Sequence, residues 1–161
     1  MMRLFREMEA ADMDDCARLF TETFTCAPWN EHWREETALK RLGGIMSAPV
    51  SRGYVCCEND GADGTDLNRI VAMACGRALA FEDSKELFID EFCVHPKLQG
   101  QGIGSALLGF IREKLKNEGV SYIVLNTERD LPSRIFYEKN GFYTKDKVIF
   151  MVQRVTSGGK I

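Results

Sequence analysis

The segment Gln99-Gly100-Gln101-Gly102-Ile103-Gly104-Ser105 places three glycines between a predicted strand, Glu86 to Val94, and an amphipathic helix predicted from about Ile103 to Asn117. Glycine removes the side chain where a ligand must approach the backbone, and it tolerates positive φ angles. The start of a helix leaves several N–H groups unpaired and carries partial positive charge. This glycine loop, residues 99–105, is therefore typical of a site that binds an anionic group such as a phosphate.

The neighbouring residues narrow the type of phosphate site, because three glycines could equally form a tight turn that binds nothing. No Gly-Lys-Ser or Gly-Lys-Thr follows, so the loop lacks the lysine and hydroxyl of a nucleoside triphosphatase. In a dinucleotide-binding loop the third glycine would fall at position 105 or 107, where this chain has Ser105 and Leu107. The spacing that remains is Gln-x-x-Gly-x-Gly.

That spacing resembles the pyrophosphate-binding loop of the GNAT superfamily of acyl-CoA N-acyltransferases. Cys93-Val94-His95-Pro96 precedes the loop as in that superfamily, and the segment from Arg134 to Phe142 is similar to its closing segment. The resemblance runs from about residue 85 to residue 143. Ala27 to Trp33 and Ile89-Asp90-Glu91 look like the bacterial branch that includes the aminoglycoside 6′-N-acetyltransferases.

The resemblance implies a mixed α/β fold, called α+β in some schemes, in a single GNAT-like domain that covers residues 1–155. Its mostly antiparallel mixed sheet has about seven strands, splits between strands four and five, and is flanked by about four helices. Hydrophobic periodicity predicts a strand, two helices, three strands and then alternating helices and strands. Within that order we expect a helix from Glu31 to Met46, a hairpin loop at residues 59–64, a last pair of strands at Phe142 to Thr144 and Val148 to Val155, and a disordered tail at 156–161.

Composition excludes several classes of protein. With 45% hydrophobic and 28% charged residues, the chain has the balance of a soluble globular domain, and it has no apolar run long enough to cross a bilayer. The formal charge of -3 disfavours binding to nucleic acid. Six cysteines and two histidines show no metal-ligand spacing, so we expect buried thiols and no metal. No secretory signal is visible, so we expect a cytoplasmic protein.

The resemblance implies acetyl-CoA as the co-substrate. Backbone N–H groups of residues 101–105 would bind the pyrophosphate, Gln99 would orient the loop, and the main chain at Cys93 and Val94 would hold pantetheine. The residues expected to bind the coenzyme are therefore Cys93, Val94, Gln99, Gly100, Gln101, Gly102, Ile103, Gly104, Ser105, Asp130, Ser133 and Phe136. Asp130 and Ser133 stand where many members of the superfamily have Asn and Ala, which puts the usual asparagine contact to pantetheine in question.

Asp90 and Glu91 are the acidic residues expected to act on the acceptor amine. Successive residues of a strand face opposite sides, so alternation allows only one of them into the cleft. Asp90 matches the acidic position of the aminoglycoside branch, where it meets the substrate amine, and we therefore favour it over Glu91. A carboxylate can hold an ammonium and take its proton directly or through water. A solvated edge residue or a salt-bridge partner is the alternative interpretation.

Aromatic residues supply two more candidates. Tyr137 resembles the GNAT tyrosine near the coenzyme sulfur, and its phenol can donate a proton to the leaving thiolate. The alternative is a core aromatic residue beside Phe136. Trp29 lies in a predicted loop and is expected to contact the substrate, whereas Trp33 is expected in the core and His32 on the surface.

Together these features predict an acetyl-CoA-dependent N-acetyltransferase that acts by direct transfer in a ternary complex. The acceptor would be a primary amine of a small molecule, such as an amino sugar. Two alternatives remain open: a peptide or protein N-terminus as the acceptor, and a non-catalytic sensor that binds acyl-CoA. We expect a small-molecule amine as the partner and neither nucleic acid nor membrane, and a homodimer remains open.

Overall fold

A five-stranded sheet and four α-helices are found in residues 2–58 and 69–156, the part of the chain that the computed structural model describes. The strands are β1 (Arg3–Glu7), β2 (Ser51–Glu58), β3 (Arg69–Phe81), β4 (Ser84–Val94) and β5 (Tyr122–Leu125). The helices are α1 (Met13–Phe24), α2 (Glu35–Met46), α3 (Ile103–Asn117) and α4 (Pro132–Lys139). The strands lie in sequence order, antiparallel from β1 to β4, and β5 joins β4 in parallel after the crossover through α3.

Helices cover both faces of this sheet. On one face α3 buries an apolar stripe that repeats every four residues, formed by Ile103, Leu107, Ile111 and Leu115. On the other face α1 and α2 bury a second cluster that includes Leu19, Phe20 and Leu42. The central strand β3 is covered on both sides, which explains its uninterrupted apolar run at residues 70–76. No helix in the described residues is long and apolar enough to cross a membrane.

The sheet opens between its fourth and fifth strands. β4 pairs with β3 along almost its whole length, but it pairs with β5 only from Glu86 to Ile89. Beyond Ile89, in the residues that the structure describes, no strand lies on the β5 side of β4. The backbone of residues 90–94 therefore borders a cleft, as the resemblance to the GNAT fold implies.

A β-bulge lies where this cleft begins. Cys75 on β3 pairs with Glu91, but the next residue, Gly76, pairs with Ile89, so Asp90 has no partner on β3. A Cβ atom at Gly76 would lie 2.0 Å from the carbonyl oxygen of Phe88, so only glycine fits this approach of the two strands. The bulge therefore depends on a glycine in the neighbouring strand.

The expectation of about seven strands is not confirmed. Residues 142–155 contain neither of the two predicted last strands, and their apolar side chains, including Val148, Ile149, Phe150 and Met151, are exposed. Alternation of apolar residues produces a strand only where another strand accepts its hydrogen bonds, and no described strand does so here. The predicted hairpin loop at residues 59–64 and residues 157–161 of the predicted tail lie outside the described residues.

The second helix begins later than predicted. It starts at Glu35 instead of Glu31, because Arg34 has extended backbone angles and forms a reciprocal capping arrangement with Thr37. Gly43 and Gly44 lie within this helix.

Candidate active site

The glycine loop has the backbone geometry of an anion site. Gly100 and Gly102 have φ angles of +76° and +79°, and a Cβ atom on either would meet nothing within 4 Å. Gly102 caps α3 without a side-chain hydrogen bond, and the first turn of the helix contains no acidic residue. The N–H of Ala106 donates to Gly102 at 3.0 Å, so the N–H groups of residues 103–105 precede this first helical bond. Donors and open space coincide here, which suits a phosphate.

Gly104 has a different role from the other two glycines. A Cβ atom there would lie 3.0 Å from the ring of Phe136 and 3.4 Å from the side chain of Val94. The lack of a side chain at Gly104 therefore allows α4 to pack closely on the start of α3, and the expected place of Gly104 in the coenzyme site stays a prediction. Phe136 also contacts Phe92 of β4, with ring centroids 5.7 Å apart. This packing sets the position of α4 beside the cleft.

Two glutamine side chains attach the glycine loop to the sheet. Gln99 donates from Nε2 to the carbonyl oxygen of Val94 at 3.1 Å, so the loop is held to the end of β4. Gln101 accepts from Nη2 of Arg3 at 3.1 Å, and Nε of Arg3 also donates to Glu58 at 2.7 Å. The role of Gln99 in orienting the loop stays a prediction, and its bond to Val94 is the contact that would serve it.

The side chains of Cys93 and Val94 pack into the two apolar clusters, so their backbone groups are the part that can contact a ligand in the cleft. The thiol of Cys93 is buried in the cluster beneath α1 and α2, and burial raises its pKa well above the usual value. Val94 packs in the opposite cluster, beneath α3. An extended ligand with amide groups could pair with this open stretch of backbone as an added strand would.

The bulge places Asp90 and Glu91 on the same face of the sheet. Before the bulge Leu87 and Ile89 belong to the cluster beneath α3, whereas after it the members are Phe92 and Val94. The alternation is therefore shifted by one residue at Asp90. The expectation that strand alternation admits only one acidic residue to the cleft is wrong, because the bulge interrupts that alternation.

Each acidic residue is paired with an arginine. Arg77 of β3 binds Asp90 through two bonds, Nε to Oδ2 at 3.0 Å and Nη2 to Oδ1 at 2.8 Å. Arg41 of α2 binds Glu91 through its Nε and packs over the ring of Trp33, 5.8 Å from the centroid. We call Asp90–Arg77 and Glu91–Arg41 the acid–arginine pairs.

Burial and neighbouring charges act on the pKa of Glu91. Burial raises the pKa of Glu91, while the charge of Arg41 lowers it and the charge of Asp90 raises it. The thiol of Cys75 beneath them also has a raised pKa, first through burial and then through the charges of Glu91 and Asp90. These electrostatic interactions show that the two carboxylates form one cluster.

Tyr137 lies in an aromatic group beside the cleft. Its ring centroid is 6.1 Å from that of Phe92 on β4 and 5.3 Å from that of Phe142. Burial raises its pKa, and negative charge at Cys93 and Glu91 would raise it further, so the hydroxyl keeps its proton at ordinary pH. The side chain is thus both a packing residue and a protonated donor near the acidic pair.

Three further predicted site residues, Ser133, Asp130 and Trp29, have surroundings of their own. Ser133 at the start of α4 forms a 2.8 Å hydrogen bond with Thr127, and Asp130 is exposed in the preceding turn. Trp29 packs against Phe24, with ring centroids 5.3 Å apart. Trp33, which was expected only in the core, is the tryptophan that contacts an acid–arginine pair.

Arg41 and Arg77 are the site residues that the sequence analysis missed. Arg77 gave one signal, because it is the one charged residue within the otherwise apolar run from Ile70 to Phe81 in β3. Arg41 gave none, because helix α2 carries several charged residues on its exposed side. Within residues 2–58 and 69–156, no group of three or more His, Cys, Asp or Glu side chains could hold a metal ion.

Comparison with known families agrees with this geometry. Residues 13–142 match the acetyltransferase (GNAT) family. The chain belongs to this family. A sequence comparison with curated proteins finds no match. The match covers the loop, both acid–arginine pairs and Tyr137, so this GNAT domain contains the complete candidate site.

Solved structures share the GNAT fold of the chain at low sequence identity. A possible acetyltransferase from Clostridium difficile 630 has a TM-score of 0.76 and 16% identity, over 97% of this chain and 100% of that one. Glucosamine-6-phosphate N-acetyltransferase from Arabidopsis thaliana has a TM-score of 0.66 and 19% identity, over 97% and 100%. AAC(6')-Iy, solved with the bisubstrate analogue CoA-S-monomethyl-acetylneamine, has a TM-score of 0.69 and 17% identity, over 96% and 99%. These names differ in acceptor, so the shared fold leaves the acceptor of this GNAT protein undetermined.

Proposed function

We propose that this GNAT protein is an acetyl-CoA-dependent N-acetyltransferase that acts on a primary amine of a small molecule by direct transfer in a ternary complex. One observation carries the proposal: the open backbone of β4 lies between an anion site and a carboxylate pair. The glycine loop stands at one end of residues 90–94, and Asp90 and Glu91 stand at the other. An anionic coenzyme and a cationic acceptor would thus meet along one strand.

The coenzyme side of the cleft uses backbone groups. The N–H groups of residues 101–105 bind the pyrophosphate, and the main chain at Cys93 and Val94 binds the extended pantetheine arm. Bound acetyl-CoA supplies the thioester whose carbonyl carbon the amine attacks. The AAC(6')-Iy structure, which contains a CoA analogue, supports this assignment for the fold.

The acceptor side uses Asp90 as the proton acceptor. A carboxylate has about four lone-pair positions, so Asp90 can keep both bonds to Arg77 and still receive an ammonium. Asp90 takes the proton of the ammonium directly or through water, which leaves a neutral amine. We retain Asp90 over Glu91 because its side chain is the more exposed of the two.

Tyr137 completes the proton transfers as the general acid. Its hydroxyl gives a proton to the thiolate as the C–S bond breaks, and the resulting phenolate takes the second proton that the nitrogen loses when the amide forms. Burial raises the pKa of Tyr137, so the hydroxyl is protonated at the start of each cycle. The aromatic contacts with Phe92 and Phe142 hold the phenol beside the open strand. The chain thus supplies one group that accepts a proton and one that donates it.

The test is an assay of thiol release with acetyl-CoA and a panel of amines, with mass spectrometry of the products. Asp90→Asn keeps the shape of the side chain but removes its basicity, so kcat/KM for the best amine should fall by about 100-fold or more. Calorimetry should show unchanged binding of acetyl-CoA.

The matched control is Asp83→Asn, the same chemical change at an exposed acid in the turn between β3 and β4, which should leave activity unchanged. If acetyl-CoA binds but no amine in the panel gives a product, a non-catalytic sensor is the better assignment. Full activity in Asp90→Asn would remove Asp90 from the mechanism.

A further inference from the structure

The acid–arginine pairs present their cations to solvent and bury their anions. The side chain of Arg77 is 44% exposed, whereas that of Asp90 beneath it is 15% exposed. Arg41 is 47% exposed and Glu91 is 8% exposed. An acceptor that approaches this face therefore meets two guanidinium groups before it meets either carboxylate.

Arg77 keeps hydrogen-bonding capacity after it has bound Asp90. A guanidinium has five N–H donors in a planar fork, and the pair with Asp90 uses donors on Nε and Nη2. The donors on Nη1 point away from that bidentate edge, since the fork is rigid. They can bind a carboxylate or phosphate group while Asp90 stays in place.

Charge balance favours one class of acceptor. Each acid–arginine pair is neutral as a unit, and Glu31 adds one negative charge close to Glu91. An acceptor with several positive charges would therefore meet two exposed arginines and gain at most one net countercharge. An acceptor with one ammonium and one anionic group matches the opposite charges of the Asp90–Arg77 pair. Its ammonium fits Asp90, and its anion fits Arg77.

We infer that Arg77 is a specificity-determining residue and that the acceptor is an amine that also carries a carboxylate or phosphate group. This inference rests on the proposed function, because it concerns the acceptor of that same site. The two sources of negative charge share the same chemistry toward a guanidinium, so the experiment contains one arm for each.

The experiment compares matched acceptors that differ by one anionic group. Glucosamine 6-phosphate is compared with glucosamine, β-alanine with propylamine, and neamine serves as the polycationic acceptor. The measured quantity is the ratio of kcat/KM values within each pair. In the wild-type protein at least one pair should favour its anionic member by about 10- to 100-fold, the range of a charge-assisted hydrogen bond.

Substitutions at Arg77 test whether this residue binds the anionic group of the acceptor or only holds Asp90 in position. Arg77→Gln should bring the ratio of kcat/KM values close to 1, mainly because the KM of the anionic acceptor rises. Arg77→Lys should keep part of the preference for the anionic acceptor. The matched control is Arg52→Gln, which breaks a part-buried ion pair between β2 and Glu118 at the end of α3 and should leave the ratio unchanged.

Two results would overturn the inference alone: neamine or the amines without an anionic group as preferred acceptors, or equal losses for both members of each pair in Arg77→Gln. The second result would make Arg77 only a positioning residue for Asp90. A protein that binds acetyl-CoA and acetylates none of the five amines or any wider panel would overturn the proposed function, and this inference with it.

Discussion

The carbonyl oxygen of Phe88 lies 2.0 Å from the position that a Cβ atom would occupy at Gly76. This close approach of β3 and β4 accompanies the bulge that leaves Asp90 without a cross-strand partner. Because of the bulge, Asp90 and Glu91 share a face and meet Arg77 and Arg41. The placement of both carboxylates on one face therefore requires Gly76, which lies outside the acidic motif.

Gly76→Ala should therefore damage both stability and activity. The added methyl group cannot be accommodated without separating the two strands, so the free energy of unfolding should fall by about 2 kcal/mol or more. Urea unfolding measures this change, and kcat/KM should fall in the folded fraction as well. The control is Gly43→Ala in α2, where a Cβ atom meets nothing within 4 Å. That variant should gain about 0.5 to 1 kcal/mol, and equal stability of Gly76→Ala and wild type would contradict the bulge.

Local patterns were enough to predict α3 and the backbone geometry of the glycine loop. The four-residue repeat from Ile103 to Leu115 predicts α3, and the glycines before it predict the loop geometry, because both signals come from residues adjacent in sequence. Gln99 belongs to the same local motif, and its bond to Val94 spans only five residues.

The pairing of the two acidic residues depends on contacts between distant residues, so the sequence alone predicted Asp90 and Glu91 but not their arginine partners. Arg77 pairs with an acid 13 residues away and Arg41 with one 50 residues away, and neither pair has a local pattern. The bulge at Asp90 reverses the expected alternation through a glycine on another strand. The same limit applies to the segment from Val148 to Val155, whose alternation does not specify a pairing strand.

Gly102→Glu should weaken the binding of acetyl-CoA. The substitution places a carboxylate at the N-terminus of α3, where a phosphate is expected, and the like charges should lower acetyl-CoA affinity by about 10-fold or more. Calorimetry measures the affinity. Gly119→Glu is the control, because Gly119 has a similar φ of +72° at the other end of α3 and open space around it. It should show a similar cost in stability with unchanged affinity, and unchanged affinity in Gly102→Glu would remove the loop from the site.

Tyr137→Phe should separate proton donation from packing. The ring contacts with Phe92 and Phe142 remain, so stability and acetyl-CoA affinity should stay close to wild type. Turnover should fall by about 10- to 1000-fold, the scale of general acid catalysis. Because burial raises the pKa of Tyr137, the wild-type rate should show no loss from tyrosine ionisation below about pH 10. Tyr143→Phe, an exposed tyrosine nearby in sequence, should be silent. Equal turnover in Tyr137→Phe, with chemistry shown to limit the rate, would leave Tyr137 as a packing residue.

Glu91 should make the stability of the protein depend on pH. Burial raises its pKa in the folded state above the ordinary glutamate value of 4.5, so the folded protein holds this proton at pH values where the unfolded chain has lost it. In that window the folded state binds more protons, and the free energy of unfolding falls as pH rises. Glu91→Gln cannot titrate, so it should lack this decline.

The measurement is urea unfolding of wild type and Glu91→Gln at several pH values from 4 to 8. The stability of the variant relative to wild type should increase as pH rises through the window, because only wild type must then bury a charged carboxylate. Loss of the partner leaves Arg41 half exposed and hydrated, which limits the cost of the substitution. Glu113→Gln, at an exposed glutamate paired with Lys116, should show no such trend. A relative stability of Glu91→Gln that falls with rising pH would mean that Arg41 outweighs burial and that Glu91 is held as a stabilising anion.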